Sequence, residues 1–214
     1  MTKFLPVVEK FHSLQGEGFH VGKSAFFIRL AGCDVGCSWC DTKNSWNSKN
    51  YPLISITELT IEAIETIKKG ASFLVITGGE PLHHNLDEFC KAIKNEKETS
   101  LKIHLETSGT NEVSGSFDWI TLSPKRHDPP KDYFLKHFDE LKVIINDEND
   151  IQFAKEISIK SKHIAEKTNS KPSKQLFVQP AWNNEKGFSL AIDFVIKNPN
   201  WRLSIQTHKY LNLQ

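Results

Sequence analysis

The sequence is short of most features that would betray a specialised role. Its 214 residues include one methionine and only four cysteines. Four thiols are too few to staple a chain of this length, so a secreted disulfide scaffold is excluded and reduced thiols are expected. Neither sign of charge is in excess: Lys plus Arg total 27 and Asp plus Glu 26, for a net charge of +1. A protein that coats nucleic acid or an anionic membrane carries a large basic surplus. Direct contact with either is therefore not expected, although a local basic pocket stays open. No run of about 18 apolar residues occurs, which argues against a membrane-spanning helix. The apolar stretch near the start is too short for a signal-peptide core and is interrupted by Pro6 and Glu9. A cytoplasmic location is the expectation. No internal repeat is visible, and the length suits one domain over residues 1–214. With 38% hydrophobic and 25% charged residues, the composition belongs to a globular chain rather than a disordered one.

What is present is alternation. Short apolar runs at 25–30, 73–76, 101–105, 119–122, 141–145, 176–178 and 202–205 read as strands. Helical periodicity fills 57–69, 85–94, 149–160 and 186–197, with Thr57 placed to cap the first helix and Gly70 to end it. This order predicts an α/β fold with a mostly parallel sheet, open or barrel-like, under covering helices. The polar segment 167–174, with Pro172, reads as a surface loop.

The strand faces hint at a polar interior. In 25–30, Phe26, Ile28 and Leu30 share one face; Ala25, Phe27 and Arg29 share the other. An arginine on a strand buried on both sides needs an anion, from the protein or from a ligand. In 101–106, Lys102, His104 and Glu106 lie opposite Leu101, Ile103 and Leu105. Polar residues recur just past strand ends: Thr77, Glu106, Ser123, Lys125, Gln179, Gln206 and His208. That rim is where α/β sheets and barrels build sites, though each residue alone also reads as a turn.

Three cysteines cluster as Cys33-Asp-Val-Gly-Cys37-Ser-Trp-Cys40 in a glycine-bearing loop after the first of these strands. Zinc with a distant fourth ligand would suit them. So would an iron–sulfur cluster, which normally takes four thiolates and would here keep one iron open to a small molecule. Cys90 stands alone on an apolar helix face and reads as core. Trp39 could shield the centre or simply pack.

Cys-x3-Cys-x2-Cys with an aromatic before the last cysteine resembles the signature of the radical S-adenosylmethionine (radical SAM) superfamily. Thr77-Gly78-Gly79-Glu80-Pro81 resembles that superfamily's GGEP motif. Further segments are Ser13-Leu-Gln-Gly-Glu-Gly18, Arg29-Leu-Ala-Gly-Cys33, Trp39-Cys-Asp-Thr42 and Glu106-Thr-Ser-Gly-Thr110. Ser123-Pro-Lys125, Gln179-Pro180 and Gln206-Thr-His-Lys-Tyr210 complete the set. Together they resemble the 7-carboxy-7-deazaguanine synthase family, over almost the whole chain.

The resemblance implies a partial, modified TIM-type barrel. It implies a [4Fe–4S] cluster on Cys33, Cys37 and Cys40, S-adenosylmethionine (SAM), and Mg²⁺ on Thr42. SAM would be met by Trp39, Gly79, Ser123, Pro124, Lys125, Gln179, Pro180, Ala181 and Trp182. A pterin substrate, 6-carboxy-5,6,7,8-tetrahydropterin, would be met by Leu14, Gln15, Gly16, Glu17, Arg29, Thr77, Glu106, His208 and Gln214. Glu106 and His208 would also carry catalytic roles. The implied product is 7-carboxy-7-deazaguanine, formed with loss of ammonia in 7-deazapurine (queuosine) biosynthesis. The implied partners are a flavodoxin- or ferredoxin-like electron donor and a second copy of the chain. One departure stands out. The family tail is expected to finish in proline, its terminal carboxylate reaching the substrate, whereas this chain reads Leu211-Asn-Leu-Gln214. Another radical SAM reaction, such as that of an activase, or a zinc- or cluster-stabilised binding domain remain the rival readings.

Overall fold

A computed structural model describes residues 3–40, 42–96, 100–167 and 174–214. Nine strands form one open sheet: β1 (Phe4–Leu14), β2 (Ser24–Leu30), β3 (Leu53–Ser55), β4 (Leu74–Gly78), β5 (Ile103–Thr107), β6 (Trp119–Leu122), β7 (Glu140–Ile145), β8 (Gln175–Pro180) and β9 (Arg202–Leu203). Among the described residues six α-helices accompany them: α1 (Ile56–Lys68), α2 (Asp87–Asn95), α3 (Asp132–His137), α4 (Glu148–Lys167), α5 (Glu185–Lys197) and α6 (Thr207–Tyr210). The strand order is β3-β1-β2-β4-β5-β6-β7-β8-β9. From β2 to β9 every neighbouring pair is parallel; β1 joins β2 and β3 antiparallel. The result is a parallel barrel wall left open, with a hairpin closing one edge. This is the partial barrel expected from the sequence.

The predicted strands and helices are all present, most with ends moved by one or two residues; α4 runs on to Lys167, and β3, α3 and α6 are additions to the expected elements. Ser55, not Thr57, caps α1: its hydroxyl accepts the Glu58 N–H at 3.1 Å. Gly70 follows the helix at φ +110°, a backbone state that favours glycine. Most of the expected 167–174 loop lies outside the described residues. The strand reading omitted β1, and the reason is a bulge. Val7 pairs with Leu30 but Glu9 pairs with Arg29, so two steps on β1 oppose one on β2. Leu5 and Val7 consequently face the helix-covered core, while Phe11, of the same parity, faces inward against Phe27. A two-residue alternation that changes phase mid-strand hides itself from periodicity. The same bulge brings Glu9 beside Arg29.

The sheet separates two environments. On its outer face Ile28, Leu30, Leu74, Ile76, Ile103, Leu105 and Val178 meet Leu59, Phe89, Ile93 and Ala191 of the helices, nearly all at zero exposure. Each of these side chains larger than alanine contributes roughly 1.5–3 kcal/mol. The inner face is apolar only at its floor. There Ala25, Phe27, Phe73 and Val75 pack together, and the His104 ring stacks on Phe73 at 4.0 Å. His20 and Trp119 close the floor, 4.5 Å apart. Burial holds His104 in its neutral form, with a pKa of about 3. His104 and Glu106 thus share the inner face of β5 but serve different levels: His104 plugs the floor, Glu106 faces the space above.

Candidate active site

That space is a cavity of about 710 Å³ at the C-terminal ends of the parallel strands, a size suited to small-molecule ligands. Every residue that the sequence put forward for the site lines it except Pro124, which is buried beside Ser123 and Lys125. The residues come from the C-terminal ends of β1, β2, β4, β5 and β8 and from the segments that follow β1, β2, β4, β6, β8 and β9, as expected of the active rim of a barrel.

The cysteine loop follows β2. Cys33, Cys37 and Cys40 are all free thiols on the cavity wall. Burial pushes Cys33 and Cys37 up; the nearby Cys37 and Cys40 charges respectively push the same way, while Lys125 pulls Cys37 down. Among the described residues no three His, Cys, Asp or Glu side chains close on an ion by themselves. The donor set nevertheless fits a sulfur-held cluster. Backbone N–H groups of Val35 and Gly36 serve the Cys33 sulfur, and the Thr42 N–H donates to Cys40 Sγ at 3.4 Å. Such bonds stabilise thiolates, and adjacent thiolates need a shared cationic centre. The Thr42 hydroxyl lies 3.5 Å from the same sulfur. His127, which no sequence pattern singles out, touches Cys37 Sγ at 3.9 Å and donates to the Val35 carbonyl at 2.9 Å. Trp39 packs edge-on to His127.

The Gly-Gly-Glu-Pro turn ends β4 against this loop. Gly79 N–H donates to Leu30 O and Glu80 N–H to Gly32 O, at 3.0 and 2.9 Å. A Cβ on Gly79 would stand 2.5 Å from Gly32 O and 2.8 Å from Cys33 Cβ. Glu80 is buried at the cavity wall. It accepts the Thr107 hydroxyl (2.6 Å), both the N–H and hydroxyl of Ser108 (2.8 and 2.5 Å), and the Leu82 N–H (3.1 Å). His84 adds a strut by donating to Ala31 O at 2.6 Å.

Away from the cysteines the wall is built from charged groups. Arg29 meets Glu9 through Nε at 2.7 Å, so the plain salt-bridge reading of Arg29 is realised. That contact does not use the guanidinium's terminal nitrogens, and Arg29 lines the cavity. Gln214 reaches the same place, its side-chain amide donating to Glu9 Oε2 at 3.2 Å. Glu106 accepts Gln15 at 3.0 Å and the Thr77 hydroxyl at 3.2 Å. Glu17 forms an ion pair with Lys142 and accepts Gln206 at 2.9 Å. Burial would raise the Glu17 carboxyl, but the Lys142 charge and hydrogen bond, with Gln206 and His208, hold it well below the usual carboxylate range.

The segment after β9 locks onto the loop after β1. Thr207 donates to Gly16 O through both its N–H and its hydroxyl, each at 2.9 Å. The His208 ring occupies the place where a Gly16 side chain would be. Ser204 bridges Gly18 N–H to Gln179 at 3.0 and 2.7 Å. Trp182 packs against Tyr210, with Lys209 over its ring. The two motifs that set the narrower resemblance apart, near residues 14–18 and 206–209, are thus one structural unit.

Comparisons with known proteins agree with this geometry. The model of the radical SAM superfamily matches residues 27–126. A 7-carboxy-7-deazaguanine synthase from Prochlorococcus marinus is 52% identical over the full length of both chains. Its counterpart from Synechocystis sp. is 44% identical, covering 100% of this chain and 96% of the relative. The enzyme from Escherichia coli K12 is 34% identical over 97% and 98%. The crystal structure of QueE from Escherichia coli superposes with a TM-score of 0.78 at 31% identity, covering 96% of this chain and 95% of that one.

Proposed function

Because the chain belongs to the 7-carboxy-7-deazaguanine synthase family of radical SAM enzymes, we propose that it converts 6-carboxy-5,6,7,8-tetrahydropterin to 7-carboxy-7-deazaguanine with loss of ammonia. The observation that carries this reading is one cavity whose wall holds three thiols together with a guanidinium and the two carboxylates of Glu17 and Glu106. The three thiols are the ligands of a [4Fe–4S] cluster, and Thr42 supplies a hard oxygen to Mg²⁺. When bound, the cluster and SAM supply the hydrogen-atom abstraction that opens the reaction.

The chain's own residues do the rest. Gly79, Ser123, Pro124, Lys125, Gln179, Pro180, Ala181, Trp182 and Trp39 form the SAM side. Arg29 grips the pterin carboxylate with its planar fork. Glu17 and Glu106 accept the amino and ring N–H groups, with Leu14, Gln15, Gly16, Thr77 and Gln214 completing the enclosure. His208, on the edge of the cavity, moves the proton that ammonia loss requires. The aromatic floor keeps water from below. The unit is a single domain over 1–214, works as a homodimer in the cytoplasm, and is reduced by a flavodoxin- or ferredoxin-like donor. No helix among the described residues is long and apolar enough to cross a membrane.

Anaerobic reconstitution followed by assay with SAM, reductant, Mg²⁺ and the carboxypterin tests the reading. Product is expected from the wild type and none from Cys33→Ala. Vigorous SAM cleavage without this product would assign a different radical SAM reaction. Stoichiometric zinc with no cluster would remove the enzyme reading altogether. Arg29→Ala is expected to raise KM for the pterin about tenfold or more, as truncation of one partner of a buried charge pair does, while KM for SAM holds. Equal losses for both ligands would return Arg29 to a purely structural pairing with Glu9.

A further inference from the structure

Lys142 has no part in the assignments above. It lies in β7, where Leu141, Val143 and Ile145 face the helix-covered core and Glu140, Lys142 and Ile144 alternate onto the interior. Its side chain is 6% exposed. An ammonium so buried is costly unless anions meet it. The anions come from three places in the chain: Glu17 after β1, Glu106 at the end of β5, and Glu140 on β7 itself.

The three carboxylates are not held alike. Glu140 turns to the Phe19 N–H, which it accepts at 3.0 Å. Glu106 is fixed by Gln15 and Thr77, both uncharged. Glu17 alone is in direct contact with the Lys142 ammonium, with Gln206 on its other oxygen. Gln15 ties the Glu17 backbone to the Glu106 carboxylate, accepting the Glu17 N–H at 3.1 Å while donating to Glu106. The wall is thus a pair of acceptors whose members are braced by different means, one of them by a cation.

Resting on the pterin reading, we propose that Lys142 is a positioning residue for substrate recognition: it fixes Glu17 beside Glu106, so that together they form the acceptor wall for the ring's N–H edge. Two carboxylates suit a 2-amino-4-oxo ring, which presents an amino group and a ring N–H side by side. They reject a 2,4-dioxo ring, which presents a carbonyl where the amino group stood. Lys142 acts through Glu17, not on the reacting atoms.

The test is a double-mutant cycle of Lys142→Met, Glu17→Gln and both together, in reconstituted SAM-loaded enzyme. Pterin KM and equilibrium binding of the pterin and of its 2,4-dioxo analogue are read. Lys142→Met is expected to weaken pterin binding about tenfold or more, to narrow the preference over the dioxo ring, and to leave SAM binding intact. It is also expected to create a pH dependence that the wild type lacks. The charged groups facing Glu17 are Lys142, His208 and Glu140, and Lys142 in turn faces Glu106, Glu140 and Lys125. Without the lysine, burial raises Glu17, so the variant's KM is high at acid pH and falls as pH rises through the raised value. In the Glu17→Gln background the Lys142→Met change is expected to add nothing, because the effect runs through Glu17.

Additive losses, or a single variant with wild-type KM and a flat pH profile, would overturn the assignment. If Lys142→Met alone fails to fold, the charge-neutral double variant decides: a wild-type KM there leaves Lys142 a folding role only, and a KM matching Glu17→Gln supports the proposal. Absence of wild-type turnover with the pterin would instead bring down the substrate reading, and this proposal with it.

Discussion

Gly79→Ala is expected to fold normally yet lose about a hundredfold in product formation, the cost of displacing catalytic geometry by around an ångström. The new Cβ would stand 2.5 Å from the Gly32 carbonyl and 2.8 Å from Cys33 Cβ, where ordinary contact begins near 3.4 Å. Neither neighbour is a flexible side-chain end, so the cysteine loop and the end of β4 must part. The hydrogen bond from Glu80 N–H to Gly32 O, 2.9 Å in the present arrangement, opposes that parting. The strain therefore falls on the loop carrying Cys33, Cys37 and Cys40. Two measurements separate this from a loss of fold. Iron bound per chain after reconstitution should drop, while the thermal midpoint before reconstitution should fall only by the overpacking cost of about 1–3 kcal/mol, because Gly79 is not held in a left-handed conformation and the alanine adds no backbone strain of its own. Full iron with full turnover would show that the loop can yield, and that the glycine answers to the turn alone.

The sequence carried much of this site because its motifs are local. Cys-x3-Cys-x2-Cys and Gly-Gly-Glu-Pro each lie in one loop, and both sit where alternating strands and helices put a rim. Arg29 was legible as a charged residue on an otherwise apolar strand. Its partner was not, since Glu9 reaches it only through a bulge that breaks the alternation of β1. Lys142 stands out in the same way as Arg29, as the charged residue inside the apolar run 141–145. Its meaning does not, because Glu17 is 125 positions away. The same holds for the contact between residues 14–18 and the segment after β9, which is a product of sheet order rather than of any pattern within either segment. Glu80 is legible as part of the Gly-Gly-Glu-Pro motif, and only the fold shows where its side chain's bonds go.

Those bonds make Glu80→Ala the substitution with the largest expected loss of stability. The side chain is 1% exposed and accepts hydrogen bonds from Leu82 N–H, the Thr107 hydroxyl, and the N–H and hydroxyl of Ser108. Truncation leaves all four donors facing a void inside the fold. Unsatisfied buried donors cost about 1–3 kcal/mol each when nothing replaces their acceptor. Water entering the space vacated by the side chain would recover part of this, so a loss of about 4 kcal/mol is the expectation, in the range that marks a broken buried network. At 2–4 °C per kcal/mol for a chain of this size, the thermal midpoint should fall by on the order of 10 °C. Glu80→Gln should lose roughly half as much, since one oxygen still accepts while the amide N–H₂ meets donors. Urea unfolding of the two variants checks the order; a loss under about 1 kcal/mol for alanine would mean that water serves the four donors as well as the carboxylate does. The bonds also run from the end of β4 to the end of β5, so the cost is not confined to stability. The carboxylate of Glu80 sets the spacing between the turn that backs Cys33 and the strand that carries Glu106. Slackening it should disturb the thiol side and the carboxylate side of the cavity together, raising KM for both SAM and pterin, in contrast to the selective effect expected at Arg29.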